Sequence, residues 1–389
     1  MTDVLSDLEK TAEPSALLRL LNRSGARRAL NAPDEDLGIA DYLPFPFLAL
    51  VGQEEMRMAL LLAVINPAVG GVLLIGPRGI GKTTAVRSLA GILPEVTVSD
   101  CAEGCLPEDF EANGADGVCA DCAEKLARGE SITRTEQVKM IELPLNARLE
   151  DVVGGINERI AVQQNRIRLE RGILARADQN LLYIDEVNLL DDPIADAILD
   201  ASAAGSYTVR RGAMAGTYRS RFVLIGSMNP EEGDLRPQIM DRFGLRVAVR
   251  GLTDSAERLE VYRRVRAYRT NPQTFIREWL GETLAARDEV EAARRILPQV
   301  TLTDGALTFG LHLIQQLDID SHRAEYTMFE AARAYAAADG RLTADESDIR
   351  LVALMALRQR RSQFMLDFFA AQQIEDKAIG AQMEASRIP

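Results

Sequence analysis

The hydrophobic pattern changes texture twice along the chain. Residues 1–43 combine a short amphipathic stretch, Ala16-Leu17-Leu18-Arg19-Leu20-Leu21, with a polar run through Asp34-Glu35-Asp36. No alternation persists there, so this part reads as a loosely attached extension. From Phe45 the pattern tightens. Apolar residues at helical spacing over 53–65 predict a helix, and Gly71-Val72-Leu73-Leu74-Ile75-Gly76 is a continuous apolar run bounded by glycines. Such runs mark strands buried on both faces of a parallel sheet. A helix is predicted over 82–92, and the apolar runs Leu181-Leu182-Tyr183-Ile184 and Phe222-Val223-Leu224-Ile225-Gly226 predict two more strands. Strands separated by helical segments imply an α/β core with a parallel sheet over 44–250. Beyond about Asp254 the spacing is helical almost throughout, at 254–269, 281–296, 304–317, 326–338 and 346–360, with no convincing strand. Pro298 and the stretch Asp318 to Ser321 interrupt it, which sets a helical linker at 251–298 and an all-helical C-terminal domain at 299–389.

Composition narrows the function classes. With 389 residues, 47% hydrophobic and 26% charged, the chain falls among globular proteins of two or three domains. A net charge of −13 disfavours broad binding to nucleic-acid phosphates, so any anion site must be local. The most apolar window, Met58 to Gly76, is broken by Asn66-Pro67 and Gly70-Gly71; it reads as helix, turn and strand, not as a membrane span. The start, Met1-Thr2-Asp3-Val4, lacks the basic and apolar regions of a signal peptide, and a cytoplasmic location is expected.

Gly76-Pro77-Arg78-Gly79-Ile80-Gly81-Lys82-Thr83 satisfies the full phosphate-loop pattern, between a predicted strand and a predicted helix. Its glycines let backbone N–H groups turn inward around phosphate oxygens, with Thr84 following in the first turn of the helix. Lys82 is placed to reach the β- and γ-phosphates of ATP, and Thr83 to hold Mg²⁺. A hundred residues on, the apolar strand Leu181–Ile184 ends in Asp185-Glu186. Adjacent side chains at a strand end diverge, so Asp185 can serve the metal, directly or through water, while Glu186 polarises the attacking water. The strand after that runs into Ser227-Met228-Asn229-Pro230, where the Asn229 amide can orient the same water. Asp234-Leu235-Arg236-Pro237 and Asp241-Arg242-Phe243-Gly244 follow; an Arg here could supply charge to a neighbouring subunit's nucleotide, with Asp241 fixing its side chain.

Together these features resemble the AAA+ ATPases and, more closely, the family of ATPase subunit I of magnesium chelatase, over roughly Phe45 to Arg361. The most specific stretches are Phe45-Pro46-Phe47 with Ala49 to Glu54, Gly172 to Ala177, and Asn229-Pro230-Glu231-Glu232-Gly233-Asp234-Leu235-Arg236-Pro237-Gln238 followed by Asp241 to Leu245. The resemblance implies a P-loop core with a helical lid. It makes Lys82 and Thr83 Walker A, Asp185 and Glu186 Walker B, Asn229 sensor 1, Arg242 the arginine finger and Arg323, in His322-Arg323-Ala324-Glu325, sensor 2. It also puts helical inserts near 151–164 and a pre-sensor hairpin near 205–221, with basic spots at Arg210-Arg211 and Arg219 to Arg221. Such proteins are implied to form ATP-dependent hexameric rings that stack on a D-type AAA+ subunit and drive an H-type porphyrin-binding subunit to insert Mg²⁺ into protoporphyrin IX, in chlorophyll and bacteriochlorophyll biosynthesis. A related remodelling ATPase, either a cobalt-chelatase motor or a MoxR-like chaperone for metal-site maturation, is the alternative.

Two features depart from that family: the extension before Phe45, and the four cysteines Cys101, Cys105, Cys119 and Cys122. The latter occupy an acidic, Gly-rich insert at about 100–130 with little apolar periodicity. Paired spacings of this kind suit a structural Zn²⁺ clip. An iron–sulfur cluster, redox-active thiols and inert thiols are the other readings. Only two His residues, His312 and His322, exist elsewhere, so a His-rich metal centre is not expected.

Overall fold

The computed structural model describes residues 43–101, 103–156, 169–211, 214–361 and the isolated positions 372, 376, 377 and 379. All but Leu43 of the extension lies outside the described residues, as does 157–164 of the expected insert. Of the 151–164 region, the described part is a short helix, Leu149–Val153, leading into strand Gly154–Ile156, which pairs antiparallel with Leu169–Arg171.

The central sheet has five strands, numbered here along the chain: β1 Val72–Ile75, β2 Met140–Leu143, β3 Leu181–Ile184, β4 Val223–Met228 and β5 Leu245–Ala248. Their spatial order is β5-β1-β4-β3-β2 and every pairing is parallel. The three expected strands lie at the centre and are buried along their whole length. Both edge strands escaped the pattern. Met140-Ile141-Glu142-Leu143 is half-buried and interrupted by Glu142, while Leu245-Arg246-Val247-Ala248 carries a charged residue at its second position. Edge strands need not read as continuous apolar runs, because one side faces no strand.

Helix α1 (Glu54–Ile65) buries nearly its whole length against one face of the sheet, and α2 (Lys82–Leu89) follows the phosphate loop. On the other face, α3 (Asp192–Ala204) packs Ile194, Ile198 and Leu199 into a second core with Leu73, Leu182 and Leu224. The short helix α4 (Pro237–Arg242) precedes β5. Strands Ser206–Arg211 and Met214–Arg219 pair antiparallel as a hairpin.

Two long helices follow, α5 (Ser255–Thr270) and α6 (Pro272–Ile296). The latter begins nine residues before the expected Gly281. Asn271 caps it by accepting from Thr274 N–H at 2.9 Å, Pro272 occupies the first position, and Phe275 and Trp279 are buried. It lies against the core, with Arg294 donating to the Val64 carbonyl at 2.8 Å and Arg287 to Gly91 at 3.0 Å. The lid helices are α7 (Asp304–Gln316), α8 (His322–Ala338) and α9 (Glu346–Leu357). Ala324, Ala331, Ala332, Ala334 and Ala336 of α8 are fully buried, so its neighbours approach closely. The lid also contains a strand pair the pattern did not indicate, Thr301–Leu302 parallel to Thr343–Ala344. Two residues per strand are too few to produce a readable alternation.

The end of the lid is stitched to the core by buried arginines. Arg246 of β5, 1% exposed, donates to the carbonyls of Met240, Arg358 and Gln359 at 2.8, 3.0 and 2.7 Å. Burial and the neighbouring Arg360 lower its pKa to about 10. Arg360 returns the interaction, donating to the carbonyls of Gly244 and Phe243 at 3.0 and 3.3 Å and to the Asp241 carboxylate at 2.8 Å.

Candidate nucleotide site

The phosphate loop sits at the C-terminal end of β1, the edge at which open parallel sheets place their ligands. Gly76 N–H donates to the Met228 carbonyl at 3.1 Å, which extends the β1–β4 pairing into the loop. A Cβ at Gly76 would lie 2.2 Å from the Val249 carbonyl oxygen, so only glycine lets the loop leave the sheet here. Gly81, with φ +89°, caps the start of α2, and a Cβ there would meet nothing within 4 Å.

Arg78 to Thr84, Asp185, Glu186 and Asn229 all line one cleft of about 1410 Å³. Gly76 and Pro77 do not line it but hold Lys82: the ammonium donates to the Pro77 carbonyl at 2.9 Å and to that of Gly76. Lys82 is 9% exposed; burial lowers its pKa, while Asp185, Glu186 and Glu232 pull the other way. Its hydrogen-bond partners are loop carbonyls, so a phosphate oxygen is a stronger partner than those it already has.

Thr83 and Asp185 are joined through Tyr183. The Tyr183 hydroxyl lies 3.1 Å from Thr83 Oγ1 and donates to Asp185 Oδ1 at 2.9 Å, and Ser227 Oγ donates to the same oxygen. Burial raises the Tyr183 pKa to about 12, which keeps its proton available for this role. A hydroxyl and a carboxylate held side by side above the loop are the oxygen donors Mg²⁺ takes. Sequence reasoning gave Tyr183 and Ser227 no role; Tyr183 sits inside an apolar run and Ser227 directly after one, and a polar atom there was the available signal.

Glu186 leaves the strand at φ +53°, a conformation that separates its side chain from that of Asp185. Its carboxylate accepts from Arg78 at 2.7 Å, and the same guanidinium contacts Glu232 at 2.5 Å. The hydrogen bond and charge of Glu186 raise the Arg78 pKa. Asn229 is buried and donates to Glu231 and Glu232, both at 3.4 Å. Arg258, Arg264, Arg266 and Arg269 of α5 also line the cleft, a cationic contribution not anticipated from sequence.

Arg242 and Arg323 do not line this cleft. Arg242 is held by Asp200 of α3, and Asp241 has other partners: Arg360 at 2.8 Å, Ser321 at 3.2 Å, Arg246 at 3.7 Å and Arg323 at 3.8 Å. The expectation that Asp241 fixes Arg242 is therefore corrected. Consecutive residues at the end of α4 point apart, one to the lid and one to α3. Of the basic spots on the hairpin, Arg219 is turned to Asp109 and Arg221 lies 3.5 Å from Asp178.

The four cysteines form a separate group away from the cleft. Their Sγ atoms all lie within 4.8 Å of one another, and all four are free thiols.

No helix among the described residues is long and apolar enough to cross a membrane. Residues 47–108 match the family described as magnesium chelatase, subunit ChlI, and 311–379 match the AAA lid domain. The magnesium-chelatase subunit ChlI homolog of Methanocaldococcus jannaschii is 43% identical over 82% of this chain and 87% of its own. The magnesium-chelatase 38 kDa subunit of Acidiphilium rubrum is 39% identical over 88% of this chain and 99% of its own. In fold alone, a crystal structure of an ATPase candidate from Cytophaga hutchinsonii superposes with TM-score 0.53 at 19% identity, covering 97% of this chain and 98% of that one. These relatives favour the chelatase reading over the remodelling alternative. By identity of 39–43% over 82–88% of its length, the chain belongs to the magnesium-chelatase ChlI subunit family, the AAA+ ATPase subunits of that metal–porphyrin ligase.

Proposed function

We propose that this chain is the ATP-hydrolysing motor of a magnesium chelatase, working as a homo-oligomeric ring, a hexamer by family resemblance. The ring stacks on a D-type AAA+ subunit and drives an H-type subunit to insert Mg²⁺ into protoporphyrin IX. The observation that carries this reading is a division of residues. Lys82, Thr83, Asp185, Glu186 and Asn229 converge on one cleft, whereas Arg242 stands outside it on α4. An arginine outside its own chain's cleft is what a shared site between neighbouring copies requires.

In this mechanism the loop N–H groups and Lys82 bind the phosphates of ATP, and Thr83 and Asp185, positioned by Tyr183, hold Mg²⁺. Bound Mg²⁺ would neutralise charge on the β- and γ-phosphates. Glu186 accepts a proton from the attacking water, and Asn229 orients that water. For Glu186 to do so, its carboxylate must turn from Arg78 toward the phosphate, so Arg78 serves as a holding partner before the nucleotide is in place. Arg242 of the neighbouring copy supplies positive charge at the transition state. Arg323, held by Asp241, ties the lid to the base of that arginine.

The test is Mg²⁺ insertion into protoporphyrin IX with active D- and H-type partners and ATP, comparing the wild-type chain with Lys82→Ala. Insertion that requires the wild-type chain is expected; ATP hydrolysis without insertion, with those partners working on a known I subunit, would overturn the assignment. The shared site is tested by mixing Lys82→Ala with Arg242→Ala protein. Partial recovery of ATPase activity is expected, and none under demonstrated subunit exchange would refute it.

A further inference from the structure

The insert between the strand Val96–Ser99 and its antiparallel partner Thr133–Glu136 has little apolar core of its own. Among its described residues Cys105, Leu106, Cys122 and Ile132 are buried, and Cys105, Cys122 and Ile132 form one cluster with Val118 and Leu126 packed against it. A segment this small needs a staple beyond hydrophobic burial. Cysteine supplies two of those four buried positions, and all four thiols converge within 4.8 Å of one another.

The dimensions suit one ion. Zinc–thiolate bonds of about 2.3 Å place sulfurs about 3.8 Å apart on the edges of a tetrahedron. The sulfurs here lie within 4.8 Å of one another, so a slight contraction closes the site. Clusters of two or four irons are wider than one ion and would need their thiolates further apart. A single disulfide would use only two of the four, and the spacings Cys101-x₃-Cys105 and Cys119-x₂-Cys122 are those of paired zinc ligands.

Two of the four sulfurs already accept hydrogen bonds from their surroundings. Cys105 N–H donates to Cys101 Sγ at 3.3 Å, Cys119 N–H to Cys105 Sγ at 3.2 Å, and the Ser99 hydroxyl to Cys101 Sγ at 3.4 Å. Such outer hydrogen bonds orient metal ligands and stabilise their negative charge.

We propose that Cys101, Cys105, Cys119 and Cys122 bind one structural Zn²⁺, and that this clip anchors the 206–219 hairpin. Each thiol loses its proton on binding, and no electron is transferred. The anchor runs through residues between the ligands. Arg219, at the end of the hairpin, donates to the Asp109 carboxylate through both terminal nitrogens, one at 3.0 Å, and to the Gly104 carbonyl at 3.5 Å. Gly104 lies between Cys101 and Cys105, and Asp109 four residues past Cys105, so both positions depend on the clip. This inference is independent of the ATPase reading.

The test uses the full-length chain, produced with zinc available and purified under reducing conditions. Elemental analysis should find one zinc per chain, released by a mercurial as the four thiols are titrated. Reduced apo-protein given Co²⁺ should develop the visible bands of a tetrahedral tetrathiolate. Cys101→Ser, at a half-buried ligand chosen to spare the fold, should weaken zinc binding by at least about 100-fold, beyond the 10–100-fold that loss of an outer partner costs. Amide exchange in 206–219 should rise on zinc removal and fall on its return. Iron with acid-labile sulfide, or reduced thiols that take up neither Zn²⁺ nor Co²⁺, would overturn the metal assignment. Hairpin exchange indifferent to zinc would overturn the anchoring role.

Discussion

Replacing Arg360 with Met tests whether the lid is held to the core by its buried arginines. The Arg360 side chain is fully buried and donates to Asp241 at 2.8 Å and to the carbonyls of Ala356, Gly244 and Phe243 at 2.6, 3.0 and 3.3 Å. Met fills much of the apolar stem volume and removes every one of those donors. Breaking a buried ion pair costs about 3–5 kcal/mol. Asp241 is 40% exposed and keeps Ser321, Arg246 and Arg323, so the lower end, about 3 kcal/mol, applies. With m near 3 kcal/mol per molar urea, the midpoint should fall by about 1 M at unchanged m. Amide exchange locates the loss, since protection in α9 should fall more than protection in β1 or β4. ATP affinity should stay within about twofold because Arg360 is remote from the cleft lining, while ring ATPase turnover should drop. A midpoint shift under about 0.3 M, or exchange rising equally in sheet and lid, would refute the reasoning.

Glu186→Gln should bind ATP with near wild-type affinity and hydrolyse it about 10²–10⁴-fold more slowly, as loss of a general base predicts; normal single-turnover rates would remove its role. Gly76→Ala forces a Cβ to 2.2 Å from the Val249 carbonyl, and should destabilise the fold by about 1–3 kcal/mol and abolish ATP binding, read by denaturation and by titration calorimetry. In Asp200→Asn, which releases Arg242, stability should change by less than about 1 kcal/mol because Asp200 is 72% exposed, and ring ATPase activity should be kept or raised. A fall in ring turnover with unchanged assembly would show that the pair is needed in the active state.

The sheet centre and the phosphate loop were legible because their physics is local. A strand buried on both faces must be apolar throughout, and a loop that wraps phosphate must spend glycines, so 71–83 announces itself. The edges were not legible, since Glu142 and Arg246 are satisfied by solvent or by distant partners that no window of sequence contains. Arg246 is the sharper case: a charged residue in a short strand argues against burial until Arg358 and Gln359, more than a hundred positions away, supply carbonyl acceptors. The same holds for Asp241. Sequence adjacency suggested Arg242 as its partner, but a helix end directs successive side chains apart, and long-range packing decided which carboxylate each arginine meets.

That separation on α4 gives the lid a physical route to the proposed shared site. Asp241 gathers Ser321, Arg323 and Arg360 from the lid, and Arg242, the next residue, reaches the exposed Asp200. The two connections differ in strength. The Arg360–Asp241 contact has a fully buried donor and three further carbonyl acceptors, so moving the lid must move α4 or break that network. The Arg242–Asp200 pair is exposed and worth about 0–1 kcal/mol, so a neighbour's nucleotide phosphate can compete for the guanidinium at little cost. A strong link on the lid side and a weak one on the neighbour side is the arrangement in which lid position, not the chain's own ion pairing, governs where Arg242 can reach. Thr83 and Asp185, tied through Tyr183, form the complementary fixed half, because the cleft's donors are braced within the sheet itself. The movable charge and the rigid cradle thus belong to different parts of one chain, and in the proposed ring it is a second copy that would bring them together.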